Sequence, residues 1–388
     1  MDKVILVIAP FFSTNSRQNR PFFVARVLAK FGQVDILTTN FNHLTKKRKE
    51  SKQVQGFNKI IYVSTLPYGS NVGFTRFLSH ILFSIKAIRY FLTTREKYDV
   101  VYVTVPFNLS ASMVFQFAGS KTKIIDIIDI WPDVLPFPKL IRVLALPLMK
   151  IWKHLFFVSC QKTDILMAVS ERFFLQGIQS FKGEAHNAKR FYIGAESLLN
   201  ADIQKNELIT IAFVGNIGRL YDFQTLIKAL DDHSLIYKYQ LIIIGDGDKK
   251  GWLIDELNRK KISFKYFGIV YDPNDLAAIL GTAHLGFNGY TGNTTAAFSY
   301  KASTYLAAGL PLINSMSGDL NYLVELHEIG FNYHPGDYLS LRKILLNIDT
   351  NQLSTMSSNC KVFYQNELNY DTLYKQMVEF FSQTPIND

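Results

Sequence analysis

Three segments in the second half of this 388-residue chain combine glycine, hydroxyl and basic residues at spacings that suit a phosphate. The first is FVGNIGRLYD, residues 213–222. It reads as a strand, a turn carrying Gly215, Asn216 and Gly218, and a helix beginning near Asp222. Glycines there let backbone N–H groups approach a phosphate, and a helix N-terminus favours negative charge. Arg219 can pair with a diphosphate at two points. Simple turn residues are the other reading of the two glycines. The second segment, residues 289–314, carries a helix that Ser299 can cap and Gly309 closes. Lys301 falls in its first turn, where a cation opposes the macrodipole and costs stability unless an anion compensates it. An exposed lysine without function is the alternative. The third, Ser317-Gly318-Asp319-Leu320, reads as an N–H cradle around Gly318 or as an ordinary helix cap.

The first half offers acids instead. In IDIIDIWPD, residues 125–133, Asp126 and Asp129 lie three apart, so on one strand they face opposite sides. Asp129 is the better candidate to orient a hydroxyl and handle its proton, being nearer the strand end and Trp131. Asp133 is a further acid, and two acids merely ending a strand are the competing reading.

These residues need elements to hold them. In the first half, strands are expected at 4–9, 34–38, 60–63, 100–105, 124–130 and 165–169, and helices at 20–31, 74–94, 110–117 and 171–178. In the second, strands are expected at 208–214, 240–244, 264–267, 285–288 and 311–314. Helices alternate with them at 223–230, 250–260, 275–280 and 300–308, and a last helix covers 371–381. Such alternation implies βαβ units and parallel sheets. The chain therefore reads as two doubly wound α/β domains, 1–194 and 195–370, with the C-terminal helix of 371–388 packing back on the first. Open α/β sheets bind ligands beyond the carboxyl ends of their strands, so the expected site is a cleft between the domains.

Composition bounds the rest. The chain is 48% hydrophobic and 19% charged, which excludes a mainly disordered protein. Two cysteines, Cys160 and Cys360, are too few for a disulfide framework and suit a reducing cytosol. The start of the sequence does not read as a secretory signal. The uncharged run 100–120 reads as strand, turn and helix, because Pro106, Asn108 and several serines interrupt it. Residues 1–190 hold 27 Lys+Arg against 11 Asp+Glu, a net +16, while the remainder is net −6. That asymmetry points to an anionic partner for the first half. Two basic, aromatic-rich stretches, 74–97 and 138–157, favour a membrane surface over nucleic acid, with Arg76, Lys86, Arg89 and Arg95 facing lipid phosphates. No nucleic-acid-binding motif is present, so nucleic acid is an unlikely partner.

The order FVGN-x-G, IIGDG, K-x-x-x-YLAAGLPLI and GDL-x-x-LVE resembles bacterial GT-B glycosyltransferases of the family-four type, in a divergent branch. The segment at 125–133 resembles the D-x-W-P-D/E run of enzymes that build capsule and exopolysaccharide. The resemblance implies two Rossmann-like domains facing each other across a cleft, the C-terminal one holding a nucleotide diphosphate sugar and the N-terminal one a lipid-diphosphate-linked saccharide. It implies retention of configuration, no metal, no cofactor, and a peripheral position at the inner face of the cell membrane. The donor-binding residues implied are Gly215, Asn216, Gly218, Tyr300, Thr304, Gly318 and Asp319, with Asp129, Arg219 and Lys301 as catalytic residues. The chain departs from the family where two glutamates are usual, carrying Ala296 and Thr304. Where the family has Arg and Lys, the aligned residues are Asn216 and Asp222, and the usual His-Asp pair aligns with Ile128 and Asp129. These departures keep a second reading open, a non-catalytic GT-B partner subunit. A nucleotide-sugar epimerase is weaker still, since His284 and His327 fall in no recognisable catalytic spacing.

Overall fold

The computed structural model describes residues 3–13, 19–43, 45–48, 56–69, 73–131, 146–198, 204–292 and 298–386. The chain divides into two compact units, Met1–Tyr192 with Leu373–Asp388, and Ile193–Thr372.

The first unit is built on seven parallel strands: β1 (Lys3–Ile8), β2 (Gly32–Thr39), β3 (Lys59–Val63), β4 (Val100–Val105), β5 (Thr122–Ile127), β6 (Ile165–Ala168) and β7 (Ala188–Arg190), in the order β3-β2-β1-β4-β5-β6-β7. β1 and β4 bury nearly every side chain, as strands covered by helices on both faces must. The run 100–120 folds as β4 followed by a helix, Asn108–Phe117. Among the described residues, no helix is long and apolar enough to cross a membrane. The last helix, Tyr370–Ser382, sends Phe381 against Phe31 and Phe380 against Phe191.

One strand ends earlier than its sequence suggests. β5 stops at Ile127, so Asp126 lies within it and Asp129 in the loop beyond, and the opposite-face argument does not apply to the pair. Asp126 is fully buried and accepts from Arg20 Nε at 2.9 Å, Arg20 Nη2 at 3.2 Å and the Tyr102 hydroxyl at 2.6 Å. Arg20 opens the helix Arg20–Leu28 and also donates to the Phe191 carbonyl. This pair bolts the first helix to the sheet.

The second unit has six parallel strands: β8 (Ile209–Val214), β9 (Tyr239–Ile244), β10 (Ser263–Gly268), β11 (Leu285–Asn288), β12 (Leu312–Asn314) and β13 (Gly330–Asn332), in the order β10-β9-β8-β11-β12-β13. The sequence reading missed β7 and β13, each only three residues long, and the helices Tyr338–Asn347 and Thr350–Phe363. Strands so short carry too few residues to show a period.

Replacing Arg20 with Ala leaves Asp126 buried without its cation. The urea-unfolding free energy is expected to fall by about 3–5 kcal/mol.

Candidate donor site in the second unit

The strand order reverses beside β8, whose neighbours are β9 and β11, and the loops leaving these strands are stitched together. Ile217 N–H donates to the Asp246 carbonyl, Asp222 N–H to Gly289, and Thr291 N–H to Leu220. Gly215 adopts φ 123°, a conformation that L-residues rarely take, and a Cβ there would collide with Lys301 Nζ.

Lys301 occupies the second position of the helix Tyr300–Ala307, which Ser299 caps by accepting from Ala302 N–H at 3.1 Å. The Ser299 hydroxyl donates in turn to Asn288 Oδ1 at 2.7 Å. Asn288 Nδ2 reaches Asn314 Oδ1 at 2.8 Å, and Asn314 Nδ2 reaches Asn332 Oδ1 at 2.8 Å. These three asparagines are in register at the carboxyl ends of β11, β12 and β13. A buried amide ladder of this kind is rigid because each member satisfies the next. It fixes the cap, and the cap fixes the lysine.

The Lys301 ammonium lies 4.2 Å from the Tyr221 ring centroid and 4.9 Å from that of Phe213. Among the described residues, no carboxylate pairs with it. Burial lowers its pKa from 10.5 to about 8. A cation held on aromatic faces, without a counter-ion, is prepared for an anion.

The other residues expected from sequence are placed less uniformly. The N–H groups of Gly215 and Gly218 do not present themselves to a ligand, contrary to expectation. Gly215 donates to the Ile244 carbonyl at 2.8 Å and Gly218 to Asn216 at 3.1 Å, because both hold the turn closed. Gly215 contributes space for Lys301 instead. Asn216 is exposed, and the Arg219 side chain is 81% exposed, 3.6 Å from Asp248. Thr304 turns its hydroxyl back to the Tyr300 carbonyl at 3.0 Å, while Tyr300 itself is exposed. Gly318, at φ 87°, is the N-cap of the helix Asp319–Leu326 and supplies no side-chain cap bond, so neither Ser317 nor Asp319 is the cap. Asp319 is buried in the first turn. Ala296 and Asp133 lie outside the described residues. Among the described residues, no cluster of three or more His, Cys, Asp or Glu side chains is placed to hold a metal ion.

Sequence reasoning missed Phe213 and Tyr221 as the lysine's aromatic seat, and the asparagine ladder. Each ladder asparagine ends a strand, and only the register of three strands shows that they meet.

In the first unit, Asp129 accepts from Ile130 N–H and Trp131 Nε1, both at 3.0 Å. Burial raises its pKa from 3.8 to about 6, against the opposing pull of these hydrogen bonds and of Arg76.

The family described as "glucosyltransferase 3-like, C-terminal domain" matches residues 248–379. No curated protein matches the chain. Among solved structures, HepE of Anabaena in complex with UDP is similar, with a TM-score of 0.67, 16% identity, and 98% of this chain and 99% of that one covered. Sucrose-phosphate synthase of Thermosynechococcus elongatus is similar with a TM-score of 0.68, 16% identity and 98% of both chains. The lipopolysaccharide outer core galactosyltransferase WaaB is similar with a TM-score of 0.65, 16% identity, and 97% and 99% covered. Two parallel-sheet α/β units with these likenesses define the GT-B fold of glycosyltransferases.

Lys301→Met keeps the apolar stem and removes the charge. Because the folded-state pKa is the lower one, Lys301 destabilises the fold below about pH 8, and the penalty is relieved as pH rises from about 8 towards 10.5. The wild-type protein is expected to gain up to about 3 kcal/mol of stability from this group across that window. The Met variant has that gain already at pH 7, which urea unfolding at pH 7 and 9.5 would show.

Proposed function

We propose that the protein is a glycosyltransferase that moves a sugar from a nucleotide diphosphate sugar to a lipid-diphosphate-linked saccharide, in the synthesis of bacterial capsule or exopolysaccharide. The observation that carries this reading is Lys301, partly buried on two aromatic rings, with no carboxylate partner among the described residues, and set at the strand ends of the second unit. A diphosphate supplies the missing charge. As the glycosidic bond breaks, negative charge grows on the leaving diphosphate, and a fixed cation lowers that barrier more than it strengthens ground-state binding. The complexes of HepE with UDP, with UDP-glucose, and with UDP and glucose support a uridine diphosphate sugar as the first donor to try.

Arg219 is the second cation of the proposal, reaching the diphosphate from the exposed turn, with Gly215, Asn216, Gly218, Tyr300, Thr304, Gly318 and Asp319 around the donor. Asp129 orients the acceptor hydroxyl by accepting its hydrogen bond. The proposed reaction is retaining and metal-independent, with the departing phosphate oxygen taking the hydroxyl proton. The rival reading, a non-catalytic partner subunit, is favoured by one observation, the Thr304 hydroxyl engaged with its own helix where the family carries a glutamate.

The proposed position is peripheral at the inner membrane face, through the first unit. Its helix Phe74–Thr94 exposes Phe74, Leu78, Ile85 and Leu92, and its helix Leu146–Lys162 exposes Ile151 and Phe157 beside Lys150 and Lys153. Rings of the two helices meet, Phe77 against Trp152 at 5.5 Å. Two of the four basic residues expected at lipid do not serve there. Arg76 lies over the Trp131 ring and Lys86 donates to the Ser64 carbonyl, so of the four Arg89 is exposed on the helix Phe74–Thr94, and Arg95 is exposed just past its end, paired with Glu96. Trp131 and Trp152 are buried. Residues 138–145 of the second stretch lie outside the described residues.

Nucleotide release from a panel of uridine and guanosine diphosphate sugars with lipid extract tests the activity. Lys301→Ala is expected to lower kcat by about 10²–10³-fold, the scale of one lost transition-state contact. A folded wild-type protein that binds UDP and turns over no donor would establish the partner-subunit reading. For the membrane, changing Ile85, Ile151 and Phe157 together to Ser is expected to weaken flotation with anionic vesicles by at least about tenfold. Undiminished flotation would place the contact elsewhere.

A further inference from the structure

The helix that carries Lys301 has a second fixing point, and it lies where the sheet of the second unit opens. β8 pairs with β9 along its whole length, from Ile209 to Val214. On its other side, the pairing with β11 ends after Leu285 with Ile211 and Gly286 with Ala212. From there the two strands lead to different parts of the lysine's seat. β8 carries Phe213 and runs into Gly215, while β11 ends at Asn288 and the asparagine ladder. A side chain bridges the opening. Tyr305 is fully buried, and its hydroxyl accepts from Val214 N–H at 2.9 Å and donates to the Phe287 carbonyl at 3.2 Å. One phenol thus joins β8 to β11 beyond the point where their backbones stop pairing.

Packing prepares that position. Tyr305 follows Lys301 by four residues on the helix Tyr300–Ala307, so the two side chains leave the same face one turn apart. Its ring lies against Gly286 of β11, where a Cβ would collide with it. Burial raises the pKa of the phenol and keeps it protonated, and only a protonated hydroxyl can take an N–H and give to a carbonyl at once. Lys301 therefore stands between two fastenings. Ser299 ties the start of the helix to Asn288 at the end of β11, and Tyr305 ties its middle to both β11 and β8.

We propose that Tyr305 is a positioning residue for the leaving diphosphate: its hydroxyl holds the ends of β8 and β11 at the separation in which Lys301 is seated. Being fully buried, it touches neither sugar nor nucleotide and acts through Lys301. The proposal rests on the reading that Lys301 meets the donor diphosphate, and it names what holds that seat together. Removing the hydroxyl takes the shared partner from Val214 N–H and the Phe287 carbonyl, so the strand ends move independently and water reaches the ammonium. The Lys301 pKa, lowered to about 8 by burial, then returns towards 10.5. A hydroxyl with a purely structural role would cost stability without moving that pKa.

The test is calorimetric UDP binding by the full-length protein at pH 7 and pH 9.5, in wild type, in Tyr305→Phe and in Tyr239→Phe as a matched control. Tyr239 is equally buried, at the amino end of β9, and its hydroxyl donates to the Leu345 carbonyl at 2.6 Å. Deprotonating Lys301 removes the charge that UDP meets, so wild-type affinity is expected to fall by about tenfold or more between the two pH values. The Tyr221 phenol, whose ring faces the ammonium, has its pKa raised by burial and stays neutral over this window. In Tyr305→Phe the fall is expected to shrink to less than about threefold, because Lys301 stays charged, and Tyr239→Phe is expected to keep the wild-type fall. Urea unfolding of the ligand-free proteins gives a second readout: the wild-type rise in stability from pH 7 to 9.5 is expected to shrink by about half or more in Tyr305→Phe but not in Tyr239→Phe. Should Tyr305→Phe not fold, 4-fluorophenylalanine introduced at position 305, which fills the hydroxyl's place without donating, reads the same shift. Absence of UDP binding by wild-type protein would count against the donor reading, and the unfolding readout would still decide on Tyr305. A Tyr305→Phe protein whose affinity and stability follow pH as the wild type's do, or a Tyr239→Phe protein that loses the pH dependence equally, would overturn the proposal.

Discussion

A partly buried ammonium, with no counter-ion among the described residues, is the constraint around which the second unit is arranged. Taking Lys301 out of water costs free energy that two aromatic rings recover only in part. The fold nevertheless holds it with a side-chain relay that runs across three strands to the helix cap. Asn332, Asn314 and Asn288 pass hydrogen bonds in register to Ser299, and Ser299 sets the start of the helix carrying the lysine. Gly215 cooperates by having no Cβ where the ammonium sits. Preorganisation of this kind exchanges stability for a cation that need not move when charge appears beside it.

The first unit handles buried charge in two contrasting ways. Arg20 and Asp126 are fully buried, and the hydroxyl of Tyr102 and the Phe191 carbonyl satisfy much of what remains. That arrangement is structural: it ties the first helix to the sheet and leaves little for a ligand. Around Trp131 the opposite holds. Among the described residues neither ring nitrogen of His80 has a hydrogen-bond partner, and Asp129 is held by an indole and a backbone N–H. Two aspartates three residues apart in one segment therefore have different work. The difference comes from where β5 ends.

Hydropathy alternation along the chain was enough to reveal two parallel α/β units, because buried parallel strands must be continuous apolar runs and helices must follow them. It also located Lys301 on a capped helix, since Ser299 and Gly309 mark that position locally, but it set Asp129 inside a strand that in fact ends at Ile127. It misassigned Arg76. A basic residue in an amphipathic helix looks the same whether it faces solvent, lipid or an aromatic wall, and only the packing of the helix Phe74–Thr94 against the β1 and β5 loops separates these. The glycines of the 213–222 turn suit phosphate approach or a plain turn equally in sequence, for a similar reason. A glycine permits close approach, but what approaches is decided by neighbours distant in sequence, here Ile244 and Lys301.

What the sequence determined by itself was therefore local and periodic: the class of fold, the order of its elements, the basic excess of the first half, and which residues stand at strand ends and helix starts. What only the tertiary structure decided was partnership. Whether a charged or polar side chain is satisfied depends on groups tens or hundreds of residues away, as with Arg20 and Asp126 or Asn288 and Asn314. Solvation penalties act on the assembled neighbourhood and not on the residue, so the chemical state of Lys301, Asp129 and His80 became legible only once their surroundings were in place.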